Sequence, residues 1–163
     1  MKVLPWSEVA LLALDVDGVL TDGHVLFDGA GGVLKRFFVR DGSGIVRLRR
    51  AGVKVCWITG RADAATRQRA EELSIDRLIE GCHEKAEALS RLCFHFQCKE
   101  EQVAYIGDDL LDLPALKRSG IACVPANAHG ELFDVADYVC EAAGGYGAVR
   151  EVCDKILAAK KED

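Results

Sequence analysis

Short apolar runs alternate along the chain with longer stretches in which apolar residues recur every three or four positions. The first pattern is typical of strands buried on both faces, and the second is typical of amphipathic helices. Strands are predicted at residues 11–16, 53–58, 78–79, 103–106, 121–124 and 138–139. Helices are predicted at residues 41–51, 62–73, 84–96, 110–117 and 148–159. Alternating strands and helices build parallel sheets, so the pattern predicts an α/β fold with a Rossmann-like, doubly wound parallel sheet.

A β-hairpin is predicted at about residues 25–39, where the alternation is interrupted. Val25–Phe27 and Val33–Val39 flank the turn-forming run Asp28-Gly29-Ala30-Gly31-Gly32. No linker, repeat or biased segment divides the rest, so residues 1–163 are predicted to form one domain. A chain of 163 residues can bury most of its apolar surface without disulfides or a structural metal. Its last residues, Lys160–Asp163, are expected to be frayed and solvated.

Composition excludes several functional classes. Half of the residues are hydrophobic and 29% are charged, which excludes a disordered or collagenous chain. The net charge of −5 argues against a nucleic-acid partner, and no apolar run reaches the roughly 18 residues of a membrane span. The seven cysteines lack zinc-binding spacing and are expected to be reduced and mostly buried. Because Met1–Trp6 also lack the apolar core of a signal peptide, a cytoplasmic protein is predicted.

Polar residues follow the predicted strands at the edge where a parallel sheet carries its active site. They are Asp15, Asp17 and Gly18 after the first strand, Thr59, Gly60 and Arg61 after the second, Lys85 after the third, and Asp108 and Asp109 after the fourth. Four separate segments are therefore expected to converge on one site.

The residue types at this edge suit phosphoryl transfer. Carboxylates crowded behind buried strands repel one another, and a hard cation such as Mg²⁺, which takes oxygen ligands, relieves that repulsion. An aspartate can act as the covalent nucleophile, and a second aspartate two residues later can act as acid and base. Thr59, Lys85 and the backbone amides near Gly60 can donate to phosphate oxygens.

The same residues resemble the four motifs of the haloacid dehalogenase superfamily. Asp15–Asp22, with the sequence DVDGVLTD, matches the first motif, and Ile58-Thr59-Gly60 matches the second. Lys85 matches the third motif and Gly107–Asp112, with the sequence GDDLLD, matches the fourth. The intervals between the first three motifs are too short for a cap domain, so the chain resembles the capless subclass of this HAD-like fold.

Within that subclass the chain most resembles the 3-deoxy-D-manno-octulosonate 8-phosphate (KDO 8-phosphate) phosphatases. The similarity extends from about residue 11 to residue 157. It includes the stretches VRDG at 39–42, ITGR at 58–61, VAYIGDD at 103–109, ADYV at 136–139 and GGYGAVREVC at 144–153. The resemblance implies a Mg²⁺-dependent phosphatase of lipopolysaccharide biosynthesis that acts through an aspartyl-phosphate intermediate.

The resemblance also assigns roles to individual residues. Asp15 is the implied nucleophile and Asp17 the implied acid and base, and Mg²⁺ would be held by Asp15, the Asp17 carbonyl and Asp108. The residues implied in phosphate or substrate binding are Asp17, Thr59, Gly60, Arg61 and Lys85. Asp109 and Asp112 would support the metal waters and Lys85. Arg150 is a further candidate for substrate binding, although it could equally lie on the surface of the last helix.

Members of this family form homotetramers in which a neighbouring subunit completes the site. The hairpin would then build the oligomer core, and the glycine-rich segment at about 144–163 would fold over an adjacent site as a lid. Two positions depart from the family pattern, because Tyr146 replaces a frequent arginine and Phe38 replaces a common asparagine.

Three alternatives remain open. A related phosphatase acting on 2-keto-3-deoxynononate 9-phosphate often has glutamate after Thr-Gly, where this chain has Arg61. A non-catalytic oligomerisation domain, related to the C-terminal domain of sialic-acid cytidylyltransferases, would be expected to have degraded motifs. A receiver domain would lack the second aspartate, Asp17.

Charged residues outside the motifs are assigned structural roles. The basic residues Lys35, Arg36, Arg47, Arg49 and Arg50 are interpreted as a solvated face or a subunit contact. The neighbours Arg40 and Asp41 are interpreted as a possible ion pair at a helix start.

Overall fold

A six-stranded parallel sheet forms the centre of the protein, for which a computed structural model describes residues 4–162, with Glu162 described by its backbone alone. The strands are β1 (Leu11–Leu14), β2 (Leu26–Phe27), β3 (Val33–Leu34), β4 (Lys54–Ile58), β5 (Arg77–Ile79), β6 (Val103–Ile106), β7 (Ile121–Val124) and β8 (Tyr138–Val139). The helices are α1 (Val39–Arg50), α2 (Ala64–Glu72), α3 (Lys85–Phe96), α4 (Leu113–Arg118) and α5 (Ala148–Glu162).

The order of strands in the sheet is β5-β4-β1-β6-β7-β8, and every neighbouring pair is parallel. The chain builds outwards from β1 through β4 to β5, and then returns to place β6 on the other side of β1. The direction in which successive strands are added to the sheet therefore reverses between β1 and β6. In open α/β sheets, ligand sites form in the crevice beyond the carboxyl ends of the strands at such a point.

Alternate residues of each central strand face opposite layers of helices. Leu12 and Leu14 of β1 lie in one core cluster with buried residues of α1 and α5. Leu11 and Ala13 lie in a second cluster with buried residues of α3 and α4. Both faces of the sheet are covered, which confirms the doubly wound α/β prediction and explains why these strands are apolar without alternation.

The hairpin is confirmed, although its strands are only two residues long. β2 and β3 pair antiparallel, and Asp28 Oδ1 accepts the N–H groups of Ala30 and Gly32, both at 2.8 Å. Large apolar side chains project from this arm and the start of α1 into solvent. They are Leu26 (53% exposed), Phe27 (74%), Leu34 (56%) and Val39 (77%).

Local capping explains where the helices differ from the sequence prediction. The helix predicted at 110–117 divides into a 3-10 turn at Leu110–Asp112 and the separate helix α4. Asp109 caps the turn, because its side chain accepts the Leu110 N–H, and Pro114 lies in the first turn of α4, a position that proline favours. In α2, Asp63 caps the helix through the Thr66 N–H, so α2 begins at Ala64 rather than at residue 62.

Most of the C-terminal segment, from Ala148 to Glu162, is a core helix, and the expected role of the segment at 144–163 as a lid over an adjacent subunit's site stays a prediction. Six residues of α5 are at most 9% exposed: Ala148, Val149, Val152, Cys153, Ile156 and Leu157. The expected fraying at Lys160 is wrong, because α5 continues to Glu162 and Lys160 Nζ donates to the Ser7 carbonyl at 2.8 Å. Asp163 lies outside the described residues.

The turn before α5 packs against the loop that follows β1. Gly145 N–H donates to the Val19 carbonyl at 3.0 Å, and a Cβ at Gly144 would lie 1.7 Å from the Gly18 carbonyl oxygen. Only glycine fits so close to another backbone at this point.

Two further sequence expectations concern the cysteines and membrane association. All seven cysteines are free, and five of them are buried. Within residues 4–162 no helix combines the length and apolar character that a membrane span requires.

Candidate active site

A buried network of charged side chains forms the floor of a pocket at the carboxyl end of the sheet. Lys85, at the start of α3, contacts Asp15 Oδ1 at 3.0 Å and Asp112 Oδ1 at 2.7 Å through Nζ. Asp15 is 7% exposed, Lys85 3% and Asp112 0%. Buried charges are tolerated when they are paired and hydrogen-bonded, so Lys85 compensates both carboxylates.

Asp112 is saturated by its protein partners. Its Oδ1 accepts from Lys85 and from the Tyr105 hydroxyl, both at 2.7 Å, and its Oδ2 accepts the N–H groups of Asp108 and Asp109 at 3.1 and 3.3 Å. This arrangement fits the predicted supporting role, because it fixes Lys85 and the loop after β6 together. Asp112 therefore has little capacity left to bind a metal.

Burial and mutual repulsion perturb the two carboxyl groups that face the pocket. Burial raises the pKa of Asp15 to about 6, with repulsion from Asp112 adding to it and Lys85 opposing it. Burial likewise raises the pKa of Asp108 to about 8, with further contributions from Asp15 and Asp112. For Lys85, burial alone would lower the pKa, but Asp15 and Asp112 outweigh it and the pKa is raised.

The carboxylates of this site suit a hard divalent cation. Single oxygens of Asp15, Asp108 and Asp112 lie within 4.8 Å of one another. In the part of the chain that the structure describes, the buried Asp108 Oδ1 has no hydrogen-bond partner. Since Asp112 is saturated, Asp15 and Asp108 are the side chains available to a cation, and oxygen ligands of this kind fit Mg²⁺.

Gly18 makes the close approach of these two loops possible. Its φ is +93°, and a Cβ there would lie 1.9 Å from Asp108 Oδ2. Any larger residue would push Asp108 away from Asp15.

The pocket above this floor encloses about 310 Å³. It brings together nine of the predicted site residues: Asp15, Asp17, Thr59, Gly60, Arg61, Lys85, Asp108, Asp109 and Asp112. Gly23, Val25 and Leu111 also line it, although the sequence does not predict them as site residues. The apolar pair Val25 and Leu111 carried no sequence signal, whereas Gly23 belongs to the loop that follows the first motif.

The loop after β4 forms one wall of the pocket and is stiffened by Thr59. The Thr59 N–H donates to the Ile79 carbonyl at 2.9 Å, and its Oγ1 accepts the Arg61 N–H at 3.2 Å. Thr59 is 1% exposed, while the Arg61 side chain is exposed at the pocket mouth. Arg61 is therefore free to meet an anionic group of a ligand.

Arg150 is not among the pocket-lining residues of its own chain. Its Nε donates to Asp154 at 2.7 Å and its Nη1 donates to the Ser43 hydroxyl at 2.9 Å. The structure thus gives Arg150 a role between α1 and α5, and a substrate-binding role within the same subunit does not fit this placement.

Two structural interpretations of charged residues are corrected. The Lys35 side chain is fully buried, and it pairs with Asp17 and Asp63 at 2.8 Å rather than facing solvent. Asp41 does not pair with Arg40, because its Oδ1 accepts the Arg150 N–H at 2.8 Å and so connects α1 with the start of α5. Arg36 is exposed and contacts Asp22 at 2.6 Å.

Comparisons with known proteins identify the family. Residues 78–151 match the family of haloacid dehalogenase-like hydrolases. The 3-deoxy-D-manno-octulosonate 8-phosphate phosphatase of Yersinia pestis is 45% identical over 154 residues, which is 94% of this chain and 82% of that protein. The corresponding enzyme of Escherichia coli is 44% identical over the same shares.

A solved structure with ligands is also similar. The 3-deoxy-D-manno-octulosonate 8-phosphate phosphatase of Moraxella catarrhalis, in complex with magnesium, phosphate and KDO, superposes with a TM-score of 0.94 at 39% identity. The match covers 96% of this chain and 90% of that one. On this similarity in sequence and structure, the chain belongs to the family of 3-deoxy-D-manno-octulosonate 8-phosphate phosphatases, among the haloacid dehalogenase-like hydrolases.

Proposed function

We propose that the protein hydrolyses KDO 8-phosphate to KDO and inorganic phosphate, with Mg²⁺ as its cofactor. The observation that carries this proposal is the position of Asp15 in the pocket, where Lys85 Nζ lies 3.0 Å from its Oδ1 and an oxygen of Asp108 lies within 4.8 Å of its carboxylate. An aspartate in such a place can attack a phosphate dianion once a cation compensates the charge.

In the first half of the reaction, an Asp15 carboxylate oxygen attacks phosphorus and the bond from phosphorus to the sugar oxygen breaks. Asp17 gives its proton to the departing sugar oxygen. Lys85 and Thr59, with the amides of the loop at Gly60, stabilise the charge of the transferring group. The product of this half is an aspartyl phosphate on Asp15.

In the second half, Asp17 removes a proton from a water molecule, and the water oxygen attacks phosphorus. The bond between Asp15 and phosphorus breaks, which restores the Asp15 carboxylate and releases phosphate. Asp17 regains the proton it donated, so the cycle closes without another acid or base.

The cation would be held by the Asp15 and Asp108 carboxylates and, by the family resemblance, by the Asp17 backbone carbonyl. When bound, Mg²⁺ supplies positive charge that shields the Asp15 carboxylate from the incoming phosphate. Asp109, at the pocket edge, is proposed to orient water around it.

We also propose that the active protein is a homotetramer in which a neighbouring subunit helps to close each site. The apolar residues Leu26, Phe27, Leu34 and Val39 are more than half exposed and occupy the hairpin arm and the adjoining start of α1. Exposed apolar patches of this kind mark interaction surfaces. Phe27→Glu is expected to lower the sedimentation coefficient from that of a tetramer to that of a smaller species. An unchanged sedimentation coefficient would contradict this assembly.

The substrate is tested by phosphate release from three compounds in parallel. KDO 8-phosphate is expected to give the highest kcat/KM, ahead of 2-keto-3-deoxynononate 9-phosphate and of glucose 6-phosphate. The activity is expected to disappear with EDTA and to return with Mg²⁺. A higher kcat/KM for 2-keto-3-deoxynononate 9-phosphate would assign the protein the specificity of the related phosphatase. No phosphate release from any of the three compounds would favour the non-catalytic oligomerisation domain.

Asp15→Asn tests the covalent step. Loss of nearly all turnover, with the fold retained by circular dichroism, is the expected result. Nearly full turnover would exclude Asp15 as the nucleophile. If the substrate assignment holds, the protein would act in the cytoplasm, where its reduced cysteines are stable and KDO is made for lipopolysaccharide.

A further inference from the structure

Lys35, which follows β3 in the hairpin arm, sends its side chain into the interior beside the active site. Four oxygen atoms surround its Nζ. Asp17 Oδ1 and Oδ2 lie at 2.8 and 2.9 Å, Asp63 Oδ2 at 2.8 Å and Thr66 Oγ1 at 2.9 Å. The Lys35 side chain is 0% exposed, and its Nζ donates hydrogen bonds to Asp17 Oδ2 and Thr66 Oγ1 while lying at ion-pair distance from Asp17 Oδ1 and Asp63 Oδ2.

The arrangement is fixed from both sides. Asp63 caps α2, because its Oδ1 accepts the Thr66 N–H at 2.8 Å, and the Thr66 hydroxyl donates to Asp63 Oδ2 at 3.1 Å. Asp63 and Thr66 therefore cannot move without breaking the first turn of α2. Lys35 is held by these two residues and in turn holds Asp17.

Asp17 has no comparable contact elsewhere. Among residues 4–162 no other side chain is hydrogen-bonded to its carboxylate, which is 18% exposed and lines the pocket. A short side chain at the edge of a wet pocket would otherwise sample several rotamers. Both carboxylate oxygens lie within 2.9 Å of one ammonium, which restricts the carboxylate to one orientation.

We propose that Lys35 is the positioning residue of Asp17, and that it holds this carboxylate where it serves both halves of the phosphatase reaction. The inference rests on the proposed function, because it takes Asp17 as the acid and base. Lys35 itself is not among the residues that line the pocket. Replacing Lys35 removes none of the proposed reacting groups, but it allows the Asp17 carboxylate to adopt other orientations.

The contact also connects three parts of the molecule. Lys35 belongs to the hairpin arm, Asp17 to the loop after β1, and Asp63 to the start of α2, just beyond the wall formed by Thr59 and Gly60. A displacement of the hairpin arm would therefore shift the Asp17 carboxylate.

Lys35→Met, which keeps most of the length and the apolar stem of the side chain, tests the role. The control is Lys54→Met, because Lys54 also pairs with an aspartate, Asp76 at 3.1 Å, but is 49% exposed and lies at the opposite end of β4 from the pocket. We expect Lys35→Met to lower kcat for KDO 8-phosphate about 10- to 100-fold with KM changed less than about threefold. Lys54→Met is expected to match the native protein.

The decisive readout compares leaving groups. The 4-nitrophenolate of 4-nitrophenyl phosphate departs without a proton, so the first half of that reaction does not need Asp17, whereas hydrolysis of the aspartyl phosphate does. Lys35→Met is therefore expected to show a burst of about one nitrophenolate per subunit at the native rate, followed by slow turnover. A general loss of structure would slow the burst as well.

Equal loss in the burst and in KDO 8-phosphate turnover would overturn the inference, and so would a native kcat. If Lys35→Met does not fold, Lys35→Gln, which keeps a polar end without the charge, takes its place. Failure of the proposed function has a different signature, namely a native chain that releases phosphate from neither compound. Crystal structures of native and variant proteins then decide, since an Asp17 carboxylate with an unchanged rotamer in the variant would refute the positioning role.

Discussion

Replacing Asp41 with asparagine is expected to make the stability of the protein less dependent on pH. Asp41 is 1% exposed, and burial raises the pKa of its carboxyl to about 6 from an ordinary value of 3.8. Its Oδ1 accepts the Arg150 N–H, whereas Oδ2 has no hydrogen-bond partner among the described residues. Asparagine keeps the acceptor at Oδ1 and removes the charge.

The size and sign of the effect follow from the two pKa values. Between pH 3.8 and about 6 the folded protein holds a proton on Asp41 that the unfolded chain has lost, so stability falls as the pH rises. Below this window the ionisation of Asp41 costs nothing. Above it the full cost applies, and the difference between the two pKa values corresponds to about 3 kcal/mol.

Urea unfolding of the native protein and of Asp41→Asn at several pH values from 4 to 7.5 measures this cost. The difference in unfolding free energy is expected to shift by about 2 to 3 kcal/mol in favour of the variant between pH 4 and pH 7. A constant offset from the new amide group cancels in that comparison. Asp154→Asn, at an exposed aspartate of α5, serves as control and is expected to change stability by less than about 1 kcal/mol throughout.

A difference that stays constant across the pH range would refute the reasoning. It would mean that Asp41 binds its proton equally well in the folded and unfolded chains. A shift of the opposite sign would mean that the start of α5 stabilises the carboxylate more than burial penalises it.

Three further substitutions test the site. Gly18→Ala places a methyl group 1.9 Å from Asp108 Oδ2 and is expected to weaken Mg²⁺-dependent turnover more than tenfold in a metal titration; Gly23→Ala has a similar φ of +83° but no atom closer than 3.7 Å, and turnover is expected to fall much less. Asp112→Asn leaves buried donors poorly satisfied and is expected to lower the unfolding free energy by about 1 to 3 kcal/mol in urea, and no loss would contradict its bracing role. Tyr146→Phe removes an exposed hydroxyl that accepts from Arg36 at 2.8 Å, so kcat/KM is expected to stay within about twofold, and a larger loss would assign Tyr146 to substrate binding.

The sequence pattern predicts the convergence of the site because it depends on topology alone. Leu11–Leu14 and Val103–Ile106 are wholly buried and, apart from the Tyr105 hydroxyl, apolar, so they are central strands, and the aspartates that follow them must meet at one edge. The same logic brings Thr59 and Lys85 to that edge. Strand alternation and chain order carry this information without knowledge of side-chain contacts.

The contacts that long side chains make cannot be predicted from the pattern of apolar and polar residues. Lys35 stands between an exposed leucine and an exposed arginine, which indicates a surface position, yet its stem reaches Asp17 in the interior. Arg150 lies in a stretch that resembles the family, which makes it a candidate for substrate binding, but its guanidinium turns towards Asp154 and Ser43. The four hydrogen bonds of Asp112 likewise depend on three-dimensional distances that spacing along the chain does not encode.

The close packing of Gly144 and Gly145 against the loop after β1 has a consequence for synthesis on the ribosome. β1 is made early, but its neighbour β6 is made much later, and the turn that seals the Gly18–Thr21 loop comes later still. A nascent chain therefore carries Asp15, the proposed nucleophile, long before the residues that surround it in the folded protein are made. Since domains fold as units during translation, activity is expected to appear only after most of α5 has left the exit tunnel, in a single late step.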